Sequence, residues 1–415
     1  EADRCIECGI RVATCPAHMD MPGYIRAVRE GDMEEGLKLL YETNPFPAVC
    51  GRVCTHRCEE VCAVGHTGDP IAIRWLKRYL ADQFELGEYG EVLPRPLPDT
   101  GKQVAVVGTG PGGLSAAYYL RMLGYGVTVF ERALAGGGML RYGIPEYRLP
   151  YEQLDKDIEH ITRLGVEIRY GTAVGKDVTF RQLDSGYDAV FFSTGLPTSY
   201  TLGVEGEDHP RVMDGITLLE RVTNGEDPKV GRKVAVIGGG NVAMDAARTC
   251  RRLGADVTVL YRRRQVDMPA DEEEILEALD EGVRLVTQAI PIGVEDPKSE
   301  KEGQVAFVWG KAEMIDPGDG SRPRPELIPG SEERFFCDTL IPAIGQGPDL
   351  SFLPEDSGVR IKRYKVLTDT RRRSGEGKIF AGGDIVNPRR DAISAVADGH
   401  AAARGIDAYL QGAEK

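Results

Sequence analysis

The 415-residue chain lacks any long hydrophobic run, and no window approaches the roughly 18 apolar residues that a membrane-spanning helix needs. It also lacks an excess of positive charge, because 51 Lys and Arg face 65 Asp and Glu, giving a formal net charge of −14. Such a chain is poorly suited to bind nucleic acid or an anionic membrane surface. Its first residues are acidic and contain cysteine, unlike a secretory leader. We therefore expect a soluble, cytoplasmic protein with no nucleic-acid partner and no membrane insertion.

The nine cysteines are concentrated at the N-terminal end, which predicts a metal site there. Only Cys250 and Cys337 stand apart from this group. The spacings C-x2-C and C-x3-C, in a chain of this size, favour metal ligands over a disulfide framework. The seven N-terminal cysteines are Cys5, Cys8, Cys15, Cys50, Cys54, Cys58 and Cys62.

The first cysteine run is one ligand short of a familiar pattern. Residues 5–16 read C-I-E-C-G-I-R-V-A-T-C-P, close to the bacterial iron–sulfur spacing C-x2-C-x2-C-x3-C-P. Arg11 stands where the third cysteine belongs, and a guanidinium offers iron no lone pair. We predict that this region carries iron nevertheless. A three-iron cluster, one empty site, or cysteines that are only structural remain alternatives.

Two strand–turn–helix–strand patterns follow a proline-rich linker at residues 93–99 and predict two Rossmann units. In each, an apolar run leads into a Gly-rich turn that opens an Ala-rich helix, the context in which such turns bind a dinucleotide pyrophosphate. The expected strands and helices are residues 104–107, 113–123 and 127–130 in the first unit, and 234–237, 243–253 and 257–260 in the second. The sequence therefore predicts an α/β fold with two nucleotide sites.

The first turn predicts an FAD site. It reads G-x-G-x-x-G at Gly108, Gly110 and Gly113, and Glu131 at the end of the next strand is placed to accept ribose hydroxyls. Near the C-terminus a strand over residues 379–384 ends in Gly-Gly-Asp384, and a helix over 392–410 follows. We expect Asp384 to bind a ribityl hydroxyl and the helix N-terminus to face the flavin.

The second turn predicts a nicotinamide nucleotide, with NADPH preferred over NADH. It reads G-x-G-x-x-A at Gly238, Gly240 and Ala243, and residues 262–264 after its second strand are all arginine. Guanidinium groups bind a ribose 2′-phosphate, which a carboxylate would repel. A solvated basic turn that tolerates either nicotinamide is the alternative.

Nearly the whole chain resembles the family of the glutamate synthase small (β) subunit. That family includes the N-terminal half of dihydropyrimidine dehydrogenase and the large subunit of NADH-dependent ferredoxin:NADP oxidoreductase. The motifs that carry the resemblance are N-P-F-P at 44–47, G-R-V-C at 51–54, G-G-M-L-R-Y-G-I-P at 137–145, S-T-G at 193–195, Y-R-R at 261–263, A-I-G-Q at 343–346 and F-A-G-G-D at 380–384.

The resemblance implies an adrenodoxin reductase-like pair of nucleotide-binding domains behind a helical iron–sulfur domain. The implied domains are an iron–sulfur domain at 1–94, an FAD domain at 95–196 and 336–415, and an NAD(P)H domain at 197–335. The implied cofactor contacts, beyond those already named, are Gly138, Leu140, Gly195 and Gly383 for FAD, and Asn241, Arg262, Arg263 and Gln346 in the second domain or beside it.

The resemblance also implies two 4Fe–4S clusters whose ligands cross over between cysteine runs. One cluster takes Cys5, Cys8 and Cys62 with a ligand at position 11, and the other takes Cys15, Cys54, Cys58 and a fourth ligand. Lys77 stands at the position where dihydropyrimidine dehydrogenase has a Gln ligand, so both sets are one ligand short. Four side chains are candidates for a vacancy: Cys50, His56, Glu59 and Glu60.

The function that follows is electron transfer between NAD(P)H, FAD and 4Fe–4S clusters toward a partner subunit or a ferredoxin-like acceptor. No general acid or nucleophile is expected, because hydride passes between stacked cofactors. The flavin domain has no paired cysteines, so electrons are expected to leave through the N-terminal region of a hetero-oligomer subunit. The alternatives are the glutamate synthase small subunit itself and a non-catalytic electron-transfer scaffold.

Overall fold

The chain forms two compact units in a computed structural model that describes residues 1–297, 303–320 and 322–412. The first unit contains residues 1–141, 146–197 and the described residues from 348 onward, and the second contains 142–145 and 198–347. Of Arg11 only the backbone is described, so the expectation about a ligand at position 11 lies outside the described atoms. No helix among the described residues is long and apolar enough to cross a membrane.

Helices and strands are numbered along the chain. The helices are α1 Ile10–Thr14, α2 Met21–Glu30, α3 Met33–Tyr41, α4 Pro47–Val53, α5 Arg57–Glu60, α6 Ile73–Ala81, α7 Tyr89–Val92, α8 Pro111–Met122, α9 Met139–Tyr142, α10 Tyr151–Arg163, α11 Phe180–Gly186, α12 Gly215–Thr223, α13 Asn241–Arg252, α14 Glu272–Asp280 and α15 Ala392–Leu410. Short 3-10 turns lie at Ala2–Arg4, Ala63–His66, Gln265–Asp267 and Gly383–Ile385. The strands are β1 Gln103–Val107, β2 Gly126–Phe130, β3 Glu167–Arg169, β4 Ala189–Phe192, β5 Thr198–Ser199, β6 Lys233–Ile237, β7 Asp256–Tyr261, β8 Arg284–Thr287, β9 Ala289–Glu295, β10 Val305–Ile315, β11 Arg324–Leu327, β12 Glu333–Cys337, β13 Thr339–Pro342, β14 Gln346–Gly347, β15 Ile361–Lys362, β16 Lys365–Val366 and β17 Ile379–Ala381.

A five-stranded parallel sheet organises the first unit, in the order β17-β4-β1-β2-β3. Four of its strands, β1, β2, β4 and β17, are buried on both sides, so they read as apolar runs rather than alternating ones, whereas the edge strand β3 is largely exposed. Helices α8 and α15 pack closely, since a Cβ built on Gly399 would lie 2.2 Å from the Gly112 carbonyl oxygen. The strand expected over 379–384 ends earlier, at Ala381, and a short turn carries Gly383 and Asp384.

The N-terminal helices α1–α7 belong to the same unit as this sheet. A continuous helical period over residues 21–40 resolves into α2 and α3, because Gly31 is left-handed at φ +78° and Asp32 caps α3 by accepting from the Glu35 N–H at 3.1 Å. The Tyr119 hydroxyl donates to the Tyr41 carbonyl at 3.1 Å. These contacts make the cysteine-rich helices part of the wall of the first Rossmann unit.

Asp157 on α10 joins the two parts of this unit through a buried carboxylate. Its Oδ2 accepts a hydrogen bond from the Val49 N–H at 3.1 Å, in the first turn of α4, while Oδ1 has no partner among the described residues. Burial raises the pKa of Asp157 to about 8, against the opposing effects of the Val49 N–H and the Lys156 charge. The side chain is therefore protonated in the folded chain at neutral pH.

Replacing Asp157 by Asn is expected to remove a pH dependence of stability. The unfolded carboxyl ionises near pH 4, so unfolding releases a proton between about pH 4 and pH 8, and the free energy of unfolding falls as pH rises through that window, by up to about 1.4 kcal/mol per pH unit. The free energy of unfolding of Asp157→Asn does not fall in this way, so the variant becomes more stable relative to the wild type as pH rises. Urea midpoints across this pH range measure it, with the exposed Glu152→Gln on the same helix as control; parallel curves for wild type and Asp157→Asn would contradict the assignment.

The second unit contains a second parallel sheet, in the order β13-β6-β7-β8. Helix α13 packs against it through a small-residue face that includes Ala243, Ala246 and Ala247. An antiparallel sheet of β9, β10, β11 and β12 completes the unit, and no sequence pattern predicted it. The two Rossmann units are where the sequence predicts them. Strand β13 pairs with β6, and the second unit runs to residue 347, beyond the boundary expected at 335.

Candidate cofactor and cluster sites

The turn between β1 and α8 leaves space for a phosphate. A Cβ built on Gly113 would lie 1.9 Å from the Gly108 carbonyl oxygen, so the helix can approach the strand only without a side chain there. A Cβ on Gly110 would meet nothing within 4 Å. Gly110 is the N-cap of α8, whose first N–H groups are available to an anion. This open cradle fits a dinucleotide pyrophosphate.

Glu131 lies at the end of β2 and is held beside this turn. Its Oε2 accepts from the Thr109 N–H at 2.9 Å and from the Thr109 hydroxyl at 2.5 Å, and Oε1 accepts from the Ala133 N–H at 2.8 Å. The carboxylate is buried, so its orientation is fixed by these bonds. Its position at the strand end is the one from which a dinucleotide ribose is bound in this type of unit.

Several expected flavin contacts converge at the carboxyl ends of β4, β1 and β17. A Cβ on Gly108 would lie 2.5 Å from the Ser193 carbonyl oxygen, and one on Gly383 would lie 2.9 Å from the Ser193 hydroxyl oxygen. Gly138 lies against the turn as well, because its Cβ would come within 3.0 Å of the Gly110 Cα. Gly195 follows at φ +63°, and Leu140 is buried in α9.

Asp384 is a half-buried carboxylate near this convergence. Burial raises the pKa of Asp384 to about 6, and the negative charge of Asp391 adds to the effect while Arg390 opposes it. Its side chain makes no hydrogen bond within the described chain. The neighbouring Gly383 N–H donates to Asp398 Oδ2 at 3.0 Å, and Asp398 pairs with Arg372, which fixes the turn. A half-buried carboxylate that bonds to no described residue fits a hydroxyl-bearing ligand such as the ribityl chain.

The second turn, between β6 and α13, has the same local design. A Cβ on Gly238 would lie 2.2 Å from the Ala343 carbonyl oxygen, whereas one on Gly240 has only Pro269 at 3.9 Å. Asn241 begins α13 and pairs reciprocally with Asp271: its Nδ2 donates to Asp271 Oδ2 at 3.2 Å, and its Oδ1 accepts from the Asp271 N–H at 2.9 Å. Ala243 is fully buried at the third small-residue position.

The three arginines after β7 differ in their contacts. Arg264 is committed to Asp267, with Nε 2.8 Å from Oδ2. Arg262 is exposed, and Arg263 has a buried Nε without a partner. Neither makes a side-chain hydrogen bond or ion pair within the described chain. Two guanidinium groups are thus available to an anion beside the turn, and the third is not.

Gln346 lies in β14, at the end of the second unit. Its backbone pairs with Ser199 of β5 in a two-stranded antiparallel ribbon. The two strands lie where the chain enters and leaves this unit. The expected role of Gln346 in cofactor binding stays a prediction.

A pocket in the first unit brings together Cys15, Cys54 and Cys58. Cys15 follows α1, Cys54 follows α4, and Cys58 lies in α5, so the three sulfurs come from separate turns. Arg389, Asp391 and Ile393, around the start of α15, also line the pocket. One thiol comes from the first cysteine run and two come from the second. Thiols that meet in this way are the donor set that an iron–sulfur cluster uses.

Lys77 on α6 also lines this pocket and is almost fully buried. Burial alone would lower the pKa of Lys77, but the Cys54, Cys50, Cys15 and Cys58 sulfurs as thiolates together raise it. The ammonium makes no ion pair with a carboxylate in the described part of the chain. A buried unpaired cation is costly. An anionic cluster with thiolate ligands would supply the missing counter-charge, so the pocket fits such a group.

The four candidates for the vacant ligand position have different surroundings. The Glu59 carboxylate accepts from the Arg74 N–H at 2.8 Å and caps α6, and Glu60 is exposed. Cys50 is fully buried one turn before Cys54, outside the pocket lining, and its thiol lies 3.8 Å from Asn44 Oδ1. His56 is the candidate that lines the pocket.

Of the second expected set, Cys5, Cys8 and Cys62, the structure shows Cys62 in contact with the segment at residues 69–72. The Ile71 N–H donates to the Cys62 sulfur at 3.4 Å, and the Ala72 N–H donates to Glu1 at 3.3 Å, which brings the start of the chain to the same segment. Cys5 and Cys62 are buried and Cys8 is half-buried. The structure does not bring this set into the pocket of Cys15, Cys54 and Cys58.

No disulfide joins any of the nine cysteines, all of which are described. Cys250 and Cys337 are buried singly, and burial raises the pKa of each thiol to about 12. Among the described residues, no three His, Cys, Asp or Glu side chains are close enough to share one metal ion. A 4Fe–4S cluster does not require that arrangement, because each iron takes its own protein ligand.

Two family models together match most of the chain. Residues 102–402 match the pyridine nucleotide-disulphide oxidoreductase model. The chain belongs to that family. Residues 1–88 match domain II of dihydropyrimidine dehydrogenase, a 4Fe-4S cluster domain. The expected class of NAD(P)H-dependent flavoprotein oxidoreductase, with FAD, NAD(P)H and 4Fe–4S as cofactor classes, is confirmed.

Relatives of this pyridine nucleotide-disulphide oxidoreductase are named as subunits of larger enzymes. The NADPH-Fe(3+) oxidoreductase subunit beta of Geobacter sulfurreducens is 39% identical over 96% of the chain, which spans 63% of that relative's length. The glutamate synthase [NADPH] small chain of Escherichia coli is 35% identical over 99% of the chain and 91% of the relative. The expected resemblance to the glutamate synthase small-chain family is confirmed.

The fold also matches a solved flavoprotein. Mycobacterium tuberculosis FprA in complex with NADPH has a TM-score of 0.63 at 18% identity, covering 77% of this chain and 85% of that one. At this identity the likeness concerns the fold alone. The expected α/β class with two Rossmann-like units is confirmed.

Proposed function

We propose that this chain oxidises NADPH, holds FAD in its first Rossmann unit, and passes electrons through an N-terminal iron–sulfur cluster to a partner protein. When bound, FAD accepts a hydride and releases electrons singly, and a 4Fe–4S cluster accepts them singly. The remaining steps concern how the chain's own residues hold these groups.

The observation that carries the proposal is the position of the three-thiol pocket. It is lined by Arg389 and Asp391, just before α15, and by Ile393 in its first turn. The same chain segment leaves the Gly383–Ile385 turn, so Asp384 is only seven residues before Asp391. A cluster in this pocket and a flavin at this turn would share one short, well-packed element. That supports an electron path from flavin to cluster inside the first unit.

The residues have distinct binding roles in this proposal. Gly110 and the first turn of α8 bind the FAD pyrophosphate, Glu131 binds the ribose, and Asp384 binds the ribityl chain. Gly240 and α13 bind the NADPH pyrophosphate, with Arg262 and Arg263 on the 2′-phosphate. The metal ligands are Cys15, Cys54 and Cys58 at one cluster and Cys5, Cys8 and Cys62 at a second. This last set, with position 11 outside the described atoms, rests on the sequence resemblance.

The proposed partner is a protein that accepts single electrons, in a hetero-oligomer. Its support is that the relatives are named as subunits or chains of larger enzymes. The glutamate synthase small subunit is the second candidate function, favoured by the match over 91% of the Escherichia coli protein. Purifying the native complex and identifying the chains bound to this one separates the two: a large amidotransferase-bearing subunit indicates glutamate synthase.

Anaerobic mixing of the purified chain with NADPH tests the redox function. We expect the flavin absorbance to bleach first and a reduced iron–sulfur EPR signal to follow. The order reflects the exit path through the pocket beside α15. NADH serves as the matched control and should react more slowly. Flavin that stays oxidised with both nucleotides would show a non-catalytic scaffold instead.

A further inference from the structure

The three-thiol pocket needs one more ligand than its cysteines provide. A cubane cluster with four irons takes four protein ligands, most often thiolates. The side chains lining the pocket include Cys15, Cys54 and Cys58, and no further cysteine. This step rests on the proposed function, in which the pocket holds such a cluster. The identity of the fourth ligand is then a question about the remaining lining residues.

Most of the nearby polar groups are unsuitable or already engaged. Lys77 is a buried ammonium, which has no lone pair for iron. The Asp391 carboxylate caps α15, with Oδ1 accepting from the Ser394 N–H at 2.8 Å. Glu59 is the cap of α6, and the Cys50 thiol lies outside the lining. Among the four candidate ligands, His56 is the one that lines the pocket, and its Nε2 makes no described hydrogen bond.

His56 has the features of a metal-binding histidine. It lies in the short loop between Cys54 and Cys58, and its Nδ1 is 3.2 Å from the Cys54 carbonyl oxygen. A carbonyl can only accept, so Nδ1 carries the hydrogen and Nε2 has the lone pair. Metal-ligating histidines are commonly fixed in this way, with the second nitrogen bonded to a backbone carbonyl.

The backbone at His56 supports the same conclusion. His56 is left-handed, with φ +38° and ψ +36°, a conformation uncommon for residues other than glycine. Such conformations are kept where the surrounding structure requires them, often at ligand sites. Here the left-handed residue allows the chain to leave Cys54, turn at the pocket, and enter α5 with Cys58.

We propose that His56 Nε2 is the fourth ligand of the cluster held by Cys15, Cys54 and Cys58. The bond is a donation of the imidazole lone pair to one iron, with no change in oxidation state. A neutral imidazole in place of a thiolate removes one negative charge from the ligand set, so the cluster is easier to reduce. The positive charge of Lys77 beside the cluster also makes it easier to reduce. Together they make this centre an acceptor suited to electrons from the flavin.

The test is pulsed EPR on the full chain, prepared without oxygen, reduced, and labelled with 15N-histidine. We expect a 15N coupling of the size produced by an iron-bound imidazole. His56→Gly, which accepts the left-handed backbone, should lose this coupling and about one iron per chain. Added 15N-imidazole together with ferrous iron should restore both the coupling and the iron. His56→Cys should keep the iron, lose the coupling and lower the midpoint potential of the cluster.

His18 provides the matched control. It is also left-handed, at φ +51°, with Nδ1 3.2 Å from the Val12 carbonyl oxygen, but it does not line the pocket. His18→Gly should leave the coupling and iron content unchanged. A wild-type chain with a full cluster but no 15N coupling overturns the proposal, as does coupling that persists in His56→Gly or disappears in His18→Gly. A flavin-containing chain without iron overturns the cluster itself, and the iron assay identifies that case.

Discussion

Replacing Arg262 and Arg263 together by alanine will weaken NADPH binding by roughly 10²–10⁴-fold, at about 1.5–3 kcal/mol for each charged hydrogen bond lost. Both guanidinium groups lie after β7 without a partner in the described chain, and Arg263 has a buried, unsatisfied Nε. The 2′-phosphate is the group that distinguishes NADPH from NADH, so NADH binding should hardly change. The dissociation constants of both nucleotides, measured on the flavin-loaded chain, give the result.

Arg264→Ala is the control that the structure offers. This third arginine belongs to the same run but is held by Asp267, with Nε 2.8 Å from Oδ2. Its removal should leave discrimination between NADPH and NADH nearly intact. If Arg264→Ala weakens NADPH as much as the double variant does, the run acts through general positive charge and not through two specific contacts. Equal losses for NADPH and NADH in the double variant would exclude 2′-phosphate recognition.

Gly110→Val is expected to yield a folded chain with almost no bound FAD. The built Cβ at Gly110 meets nothing within 4 Å, so the added side chain is not blocked by the protein. It would instead occupy the space in front of the α8 N-terminus, where a pyrophosphate must approach the backbone. Because the whole phosphate subsite is filled, we expect loss of nearly all flavin and not a modest drop in affinity.

Flavin content per chain, measured after extraction and mass analysis, decides this prediction. Wild type should contain about one FAD per chain, since it has one such cradle with Glu131 beside it. Gly186→Val is the control, because Gly186 is exposed and likewise has nothing within 4 Å of its built Cβ. A Gly110→Val chain that keeps its FAD would contradict the assignment of the FAD pyrophosphate to this turn. FMN alone in the wild type would also contradict it, because FMN has no pyrophosphate.

The central strands of the two parallel sheets were predictable because local signals carry them, whereas β3, β4, β8 and β13 were not predicted. Apolar runs ending in Gly-rich turns placed β1 and β6 within a residue of their observed bounds, and the helix expected at 392–410 is α15 itself. The antiparallel sheet gave no such signal. The first six residues of β10 are all buried, so the strand reads as an apolar stretch without alternation. Its partners are fixed by long-range pairing that residue spacing does not encode.

The site residues show the same difference between local signals and long-range contacts. Motif residues such as Gly110 and Glu131 could be named from the sequence, since their spacing reflects one turn and one strand end. The commitment of Arg264 to Asp267, the Asp157 contact with Val49, and the approach of Asp391 to Cys54 could not. Each depends on which surfaces meet after folding. These contacts decide which members of a motif are available to a ligand.

With the proposed cluster in its pocket, Lys77 would make delivery of iron a step in the biogenesis of this chain. Before a cluster is inserted, α6 must bury an ammonium that has no carboxylate partner in the described chain, at a cost of several kcal/mol. The newly made protein would therefore hold α4–α6 loosely and leave the thiols open to the assembly machinery. Insertion of the proposed anionic cluster would supply the counter-charge and stabilise the packing of these helices. Maturation would then pass through a protease-sensitive apo form, and the iron-loaded chain would be the form that resists cleavage.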